Sequence, residues 1–106
     1  MTPFSEKVIQ IIASIPAGKV LTYGAIATAA GNPRAARQVV RLLHSSTVKY
    51  DLPWHRVINS QGRIALKDAT AVCEQEAMLA AEGIHPGPRG RINLKQYLWT
   101  EVLSPH

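Results

Sequence analysis

The densest run of chemically capable side chains is Pro53-Trp54-His55-Arg56-Val57-Ile58. His55 could serve as a general base. Its neighbours are an indole and a guanidinium, and neither is a nucleophile. A lone histidine beside a buried strand is also a common hydrogen-bonded structural residue, so both readings stand. A second grouping is cationic: Arg34, Arg37, Arg41 and His44 recur at intervals of three, four and three. The single cysteine, Cys73, has Glu74 and Glu76 for neighbours, whereas a nucleophilic thiolate is favoured by cations. Cys73 is therefore expected to pack within its helix. His44, His55, His85 and His106 have no paired metal-ligand spacing, and one cysteine excludes a cysteine-rich zinc site. No glycine-rich phosphate loop is present, so no cofactor or metal is implied.

These residues need elements to hold them. Phe4, Val8, Ile11, Ile12 and Ile15 fall at helical spacing, with Thr2-Pro3 as cap and first turn. Thr22 can cap a short helix carrying Tyr23, Ile26, Ala27 and Ala30, which Gly31 closes. Asn32 then caps a helix from Pro33 to about His44. Ala36, Val39, Val40 and Leu43 form its apolar face, and the cations lie on the other. Two helices joined by a tight Gly-Asn turn, the second one basic, match a helix-turn-helix, although an arginine-rich surface helix fits the same pattern. Asn59 to Gly62 is a turn, and Asp68 or Thr70 caps a further helix to about Glu82, ended by Gly83. The Pro86 to Gly90 loop with Arg89 and Arg91 has the character of a basic wing, and Tyr97, Leu98 and Trp99 are expected to pack on the core.

The 106 residues are 46% apolar and 18% charged, which suits one globular domain over 1–106 rather than a disordered tail. No apolar run approaches the ~20 residues of a membrane span. The start of the chain reads as an amphipathic helix rather than a secretory signal, and a cytoplasmic, nucleoid-associated location is expected. Net charge is +5 and unevenly spread. From Lys19 to Lys67 there are eight basic residues and one acid, Asp51; the remainder carries four bases and six acids. A basic middle suits a polyanion, and equally suits solubility by charge.

Four strings in order carry a resemblance. They are Ile15-Pro16-Ala17-Gly18-Lys19-Val20-Leu21-Thr22-Tyr23-Gly24, Gly31-Asn32-Pro33-Arg34-Ala35-Ala36-Arg37-Gln38-Val39, Pro53-Trp54-His55-Arg56-Val57-Ile58 and Glu82-Gly83. Together they resemble the DNA-binding domain of the O6-alkylguanine-DNA alkyltransferases over nearly the whole chain. That family's acceptor cysteine lies in Pro-Cys-His-Arg-Val, and Trp54 stands at its position here. An indole offers no comparable nucleophile. The family's Gly-Tyr-x-Gly-Gly loop is replaced by Leu66-Lys67-Asp68, and the enzymes' separate N-terminal domain has no counterpart in this sequence. The cysteine replacement and the lack of that domain mark the alkyltransferase-like proteins, the non-catalytic relatives.

The resemblance implies an α/β fold, a mostly helical winged helix-turn-helix. It implies a monomer that binds double-stranded DNA containing O6-alkylguanine through the minor groove. The damaged base is flipped out and its alkyl group kept, which flags the lesion for nucleotide excision repair. Arg37 aligns with the arginine that fills the vacated stack and Tyr23 with the tyrosine that pushes the target phosphate. Ala35 and Ala36 align with small residues that allow close approach. Thr22, Arg34, Gln38 and Arg41 complete the expected DNA surface. Pro53, Trp54 and Val57 align with the base-pocket wall beside Tyr23. Lys67 and Asp68 would join them, or else form a solvated turn and helix cap. His55, Arg56 and Glu82 become structural without a thiol to activate, and Ser46 stands where the enzymes have a bracing asparagine. Two other readings remain: a winged-helix transcriptional regulator, and a base-processing enzyme using His55 with Glu82, or Cys73 as acceptor.

Overall fold

The computed structural model describes residues 2–64 and 68–103. Helix α1, Pro3–Ser14, starts at Thr2, whose hydroxyl accepts from the Ser5 amide at 3.1 Å, with proline in the first turn. Its Val8 and Ile12 are fully buried. Strand β1, Leu21–Thr22, leads directly into α2, Tyr23–Ala29, and the Thr22 hydroxyl caps α2 through the Ala25 amide at 3.0 Å. Gly31, at φ 100°, ends α2. The Gly31 amide donates to the Thr28 carbonyl and the Asn32 amide to the Ala27 carbonyl, a closure that requires a left-handed residue between them.

Helix α3 spans Ala36–Tyr50, so it begins later and ends later than the expected Pro33 to His44. At its start, the Asn32 side chain accepts from the Arg34 amide at 3.2 Å and the Asn32 carbonyl from the Ala35 amide at 3.1 Å. These bonds hold Pro33 and Arg34 in a turn rather than a helix. At its end, Ser45, Ser46 and Thr47 look like helix breakers. Ser45 and Thr47 instead donate their hydroxyls back to the Leu42 and Leu43 carbonyls, and Ser46 is buried. The helix stops only at Asp51, which adopts a left-handed backbone.

A 3-10 turn, Trp54–Arg56, feeds β2, Val57–Ile58, which pairs in parallel with β1 in the register Leu21 to Val57 and Thr22 to Ile58. Side chains alternate across this short ribbon. Leu21 and Val57 join the α1–α2–α3 core with Val8, Ile12, Ile26 and Val39. Val20 and Ile58 join a second cluster with Leu79, Ile84 and Ile92. Helix α4, Ala69–Ala81, is capped by Asp68, whose carboxylate accepts from the Thr70 amide. It packs through Gln75 and Leu79, which leaves Cys73 exposed rather than packed: two residues from Gln75 is about 200° around the helix. A short helix α5, Leu94–Tyr97, follows, and the Val20 amide and carbonyl bond to Tyr97 and Trp99. Leu98 and Trp99 rest on the first core and Tyr97 on the second. No helix among the described residues is long and apolar enough to cross a membrane.

Candidate nucleic-acid interface

Helices α2 and α3 form a helix-turn-helix whose second member presents its first turn to solvent. Val39 and Leu43 fasten one face of α3 to the core. Arg37, Gln38 and Arg41 are exposed on the other face, and Arg34 is exposed in the turn ahead. Ala35 and Ala36 lie half-buried at the entry, so little side chain separates the backbone from an approaching surface. Ala35 is the N-cap and has no acceptor to offer, which leaves the first-turn amides available to a ligand. Ion pairs among the described residues join only Glu82 to His55 and Arg56. Among the described residues, no carboxylate forms an ion pair with the α3 arginines.

A cavity of about 240 Å³ opens beside this helix, lined by Tyr23, Leu43, His44, Thr47, Trp54, Val57, Ala71 and Gln75. It is smaller than the roughly 300–1,000 Å³ of drug-sized sites and suits one planar base. Trp54 supplies an aromatic wall and meets His55 edge-on, with ring centroids 6.4 Å apart. Tyr23 is half-buried, and burial raises the pKa of its hydroxyl, so the group stays protonated and can donate. Gln75 is 2% exposed, and its Nε2 donates to the His55 and Val57 carbonyls at 3.1 Å each. That amide pins the turn on which Trp54 sits.

Of the residues expected at a base pocket, the fold brings Tyr23, Trp54 and Val57 together in one wall. Pro53 is half-buried but outside the lining, and Asp68 is committed to capping α4. Lys67 lies outside the described residues. The other walls were not foreseen. Leu43, His44 and Thr47 share one face of α3, and Ala71 and Gln75 are one turn apart on α4. The i, i+3 and i+4 spacing was available as a signal, but nothing local indicates that these two helices face each other across Trp54.

His55 and Arg56 point elsewhere, into a network around Glu82. Glu82 Oε2 accepts from Arg56 Nη2 and pairs with His55 Nε2, both at 2.7 Å, while Oε1 accepts from Arg56 Nε and the Gly18 amide, both at 3.0 Å. Arg56 Nη1 also donates to the Ile15 carbonyl at 2.8 Å. One carboxylate thus ties the α4 terminus to the 3-10 turn and to the α1–β1 loop. Burial opposes ionisation of Glu82, but the hydrogen bonds from Arg56, His55 and Gly18 outweigh it and hold the carboxyl down to about 2. His55 is buried and is not part of the cavity lining. No three His, Cys, Asp or Glu side chains converge on a metal position among the described residues.

A helix-turn-helix with uncompensated cations on its second helix, beside a base-sized aromatic cavity, defines a DNA-binding domain. Residues 3–84 match the family described as 6-O-methylguanine DNA methyltransferase, DNA binding domain, and the chain belongs to it. It is 45% identical over 96 residues to the DNA base-flipping protein of Escherichia coli strain K12, covering 91% of this chain and 74% of that one. It is 40% identical over 104 residues to alkyltransferase-like protein 1 of Schizosaccharomyces pombe, covering 93% and 96%. The crystal structure of that fission-yeast protein in complex with damaged DNA containing O6-carboxymethylguanine superposes with a TM-score of 0.79 at 39% identity, again over 93% and 96%. The rat methylated-DNA–protein-cysteine methyltransferase is 35% identical over 85 residues, which are 79% of this chain but 41% of that enzyme.

Proposed function

We propose that this protein recognises alkylated DNA by flipping O6-alkylguanine out of the duplex and holding it without repairing it. The observation that carries this reading is Trp54 in the wall of the base-sized cavity next to α3. An indole can stack on an extruded base but cannot accept its alkyl group. Ala35 and Ala36 allow the backbone of α3 close to the minor groove, and Arg37 replaces the lost stacking with its planar guanidinium. Tyr23, as a donor at the cavity edge, meets the displaced phosphate. Extrusion costs a few kcal/mol and is cheapest for a weakly paired damaged base, which contributes to selection. The protein acts as a monomer, through its one exposed recognition helix, wherever the cell keeps its DNA. The retained lesion, held open, marks the site for nucleotide excision repair proteins.

Two observations weigh against a residual enzyme. His55 is buried outside the cavity lining, and Cys73 lies on the face of α4 opposite Ala71 and Gln75. The test is equilibrium binding to two duplexes that differ by one O6-methyl group, followed by recovery of the lesion. Tighter binding with the methyl retained is expected. Equal binding would favour a sequence-specific regulator, and a lost methyl group an enzyme.

Trp54→Cys restores the family's acceptor residue and is expected to yield little methyl transfer. The His55–Glu82 pair is in place, but Leu66-Lys67-Asp68 would still replace the loop that the enzymes carry, leaving the alkyl group unpositioned. Mass spectrometry of the variant after incubation with excess lesion duplex reads the outcome. Stoichiometric methylation of the introduced thiol would show that it was the only missing part.

A further inference from the structure

Outside the helix-turn-helix, the described structure sets two cations face to face. Arg63 and Arg91 are directly opposite in an antiparallel bridge. The flanking bonds run from the Ile92 amide to the Gly62 carbonyl at 2.8 Å and from the Ile64 amide to the Gly90 carbonyl at 3.0 Å. Arg63 and Arg91 are therefore the non-hydrogen-bonded pair, the closer of the two antiparallel types, and their side chains leave the same face. Like charges in that position repel. No carboxylate forms an ion pair with either among the described residues, and the half-buried Arg63 has its Nε buried without a partner among them. Arg89 adds a third cation in the same loop, on a left-handed backbone at φ 61° that residues other than glycine seldom adopt.

The loop that carries Arg63 is stiff. The Asn59 side chain accepts from the Gln61 and Arg63 amides at 3.0 and 2.9 Å, and the Asn59 amide donates to the Arg63 carbonyl at 3.0 Å. Its tip reaches α2: a Cβ on Gly24 would sit 3.2 Å from Ser60 Oγ. Arg63 thus ends a hydrogen-bonded turn braced against the residue that follows Tyr23, and the bridge holds Arg91 opposite it.

We infer that Arg63 and Arg91, with Arg89 beside them, form a second anion site that grips the phosphates of the bound duplex outside the recognition helix. A phosphate between the guanidinium ends removes the repulsion and accepts charge-assisted hydrogen bonds from both. The inference rests on the DNA-binding reading of the helix-turn-helix. It adds a sequence-independent hold that the cavity and Arg37 do not provide.

The test is Arg63→Gln with Arg91→Gln in the full chain, bound to lesion and unmodified duplexes across a salt series. The log–log salt slope is expected to flatten by about 1.8, the value for two phosphate contacts. That corresponds to about an eightfold loss per contact at 0.1 M salt, equal for both duplexes, so lesion preference is unchanged. The melting temperature of the free variant should hold or rise, because a repulsion has been removed. The double lysine variant should keep the slope, since lysine retains the point charge. An unchanged slope in the glutamine variant, a lysine variant as weak as the glutamine one, or a lowered melting temperature would each overturn the inference. If the wild type shows no lesion preference, the damage-recognition reading fails, while the slope on plain duplex still tests the pair.

Discussion

Arg37→Ala lowers affinity for an O6-methylguanine duplex by about 40- to 1,000-fold at 0.1 M salt and leaves the melting temperature unchanged. The magnitude follows from base stacking, which is worth about 1–3 kcal/mol by alanine substitution, together with loss of one cation near the backbone. No other side chain on the first turn of α3 is a planar cation: its neighbours there are Ala36 and Gln38. The stability of the free protein is untouched because Arg37 is exposed and forms no ion pair among the described residues. Arg37→Lys separates the two contributions. It should restore the salt dependence of binding but little of the lesion preference, because an ammonium has no plane to stack. Anisotropy titrations on paired duplexes measure both. Full lesion preference in Arg37→Ala would remove base flipping from the account.

Glu82→Gln has the largest expected effect on the fold. It leaves the part-buried Arg56 guanidinium without a counterion at the junction of three segments, and the about 3–5 kcal/mol lost on breaking a fully buried pair is the upper bound for this one. The pH dependence carries the same signature. Glu82 titrates at about 2 when folded against an ordinary 4.5, so the folded state binds its proton less readily than the unfolded chain. Its contribution, on the order of 3 kcal/mol, is fully present above about pH 5 and is lost as the pH falls toward 2. Urea unfolding between pH 7 and pH 3 should show a steep acid loss in the wild type and a shallower one in Glu82→Gln. Parallel curves would mean that Glu82 does not control the acid limb. Because His55 and Arg56 flank Trp54 and β2 on one turn, the same variant should also bind the lesion duplex more weakly wherever it remains folded.

The helix boundaries show what local chemistry can and cannot announce. Thr2, Thr22 and Asp68 were readable as caps because each bonds to an amide within the next three residues. The glycine endings at Gly31 and Gly83 were readable for the same short-range reason. The start of α3 was misplaced because Asn32 can either cap a helix at Pro33 or close a turn with its carbonyl and side chain. Its end was misplaced because the hydroxyls of Ser45 and Thr47 could have broken the helix but bond back into it. Cys73 is expected to pack because Glu74 and Glu76 beside it disfavour a reactive thiolate, but that argument does not say which way the side chain faces. The helix turns its buried side through Gln75 and Leu79 instead, and an isolated segment does not reveal which arc meets the core.

The order of residue types along the chain by itself determined the basic second helix, its apolar anchor at Val39 and Leu43, the absence of a thiol at Trp54, and the concentration of charge between Lys19 and Lys67. Each depends on neighbours within a few positions or on composition alone. Tertiary structure alone decided that α3 and α4 face each other to enclose a cavity around Trp54, that Glu82 reaches back 64 positions to the Gly18 amide, and that Arg63 meets Arg91 across a bridge. These arrangements join segments far apart in the chain. Their stability comes from burying the two hydrophobic clusters together, and no local bond encodes which distant partner each segment will find.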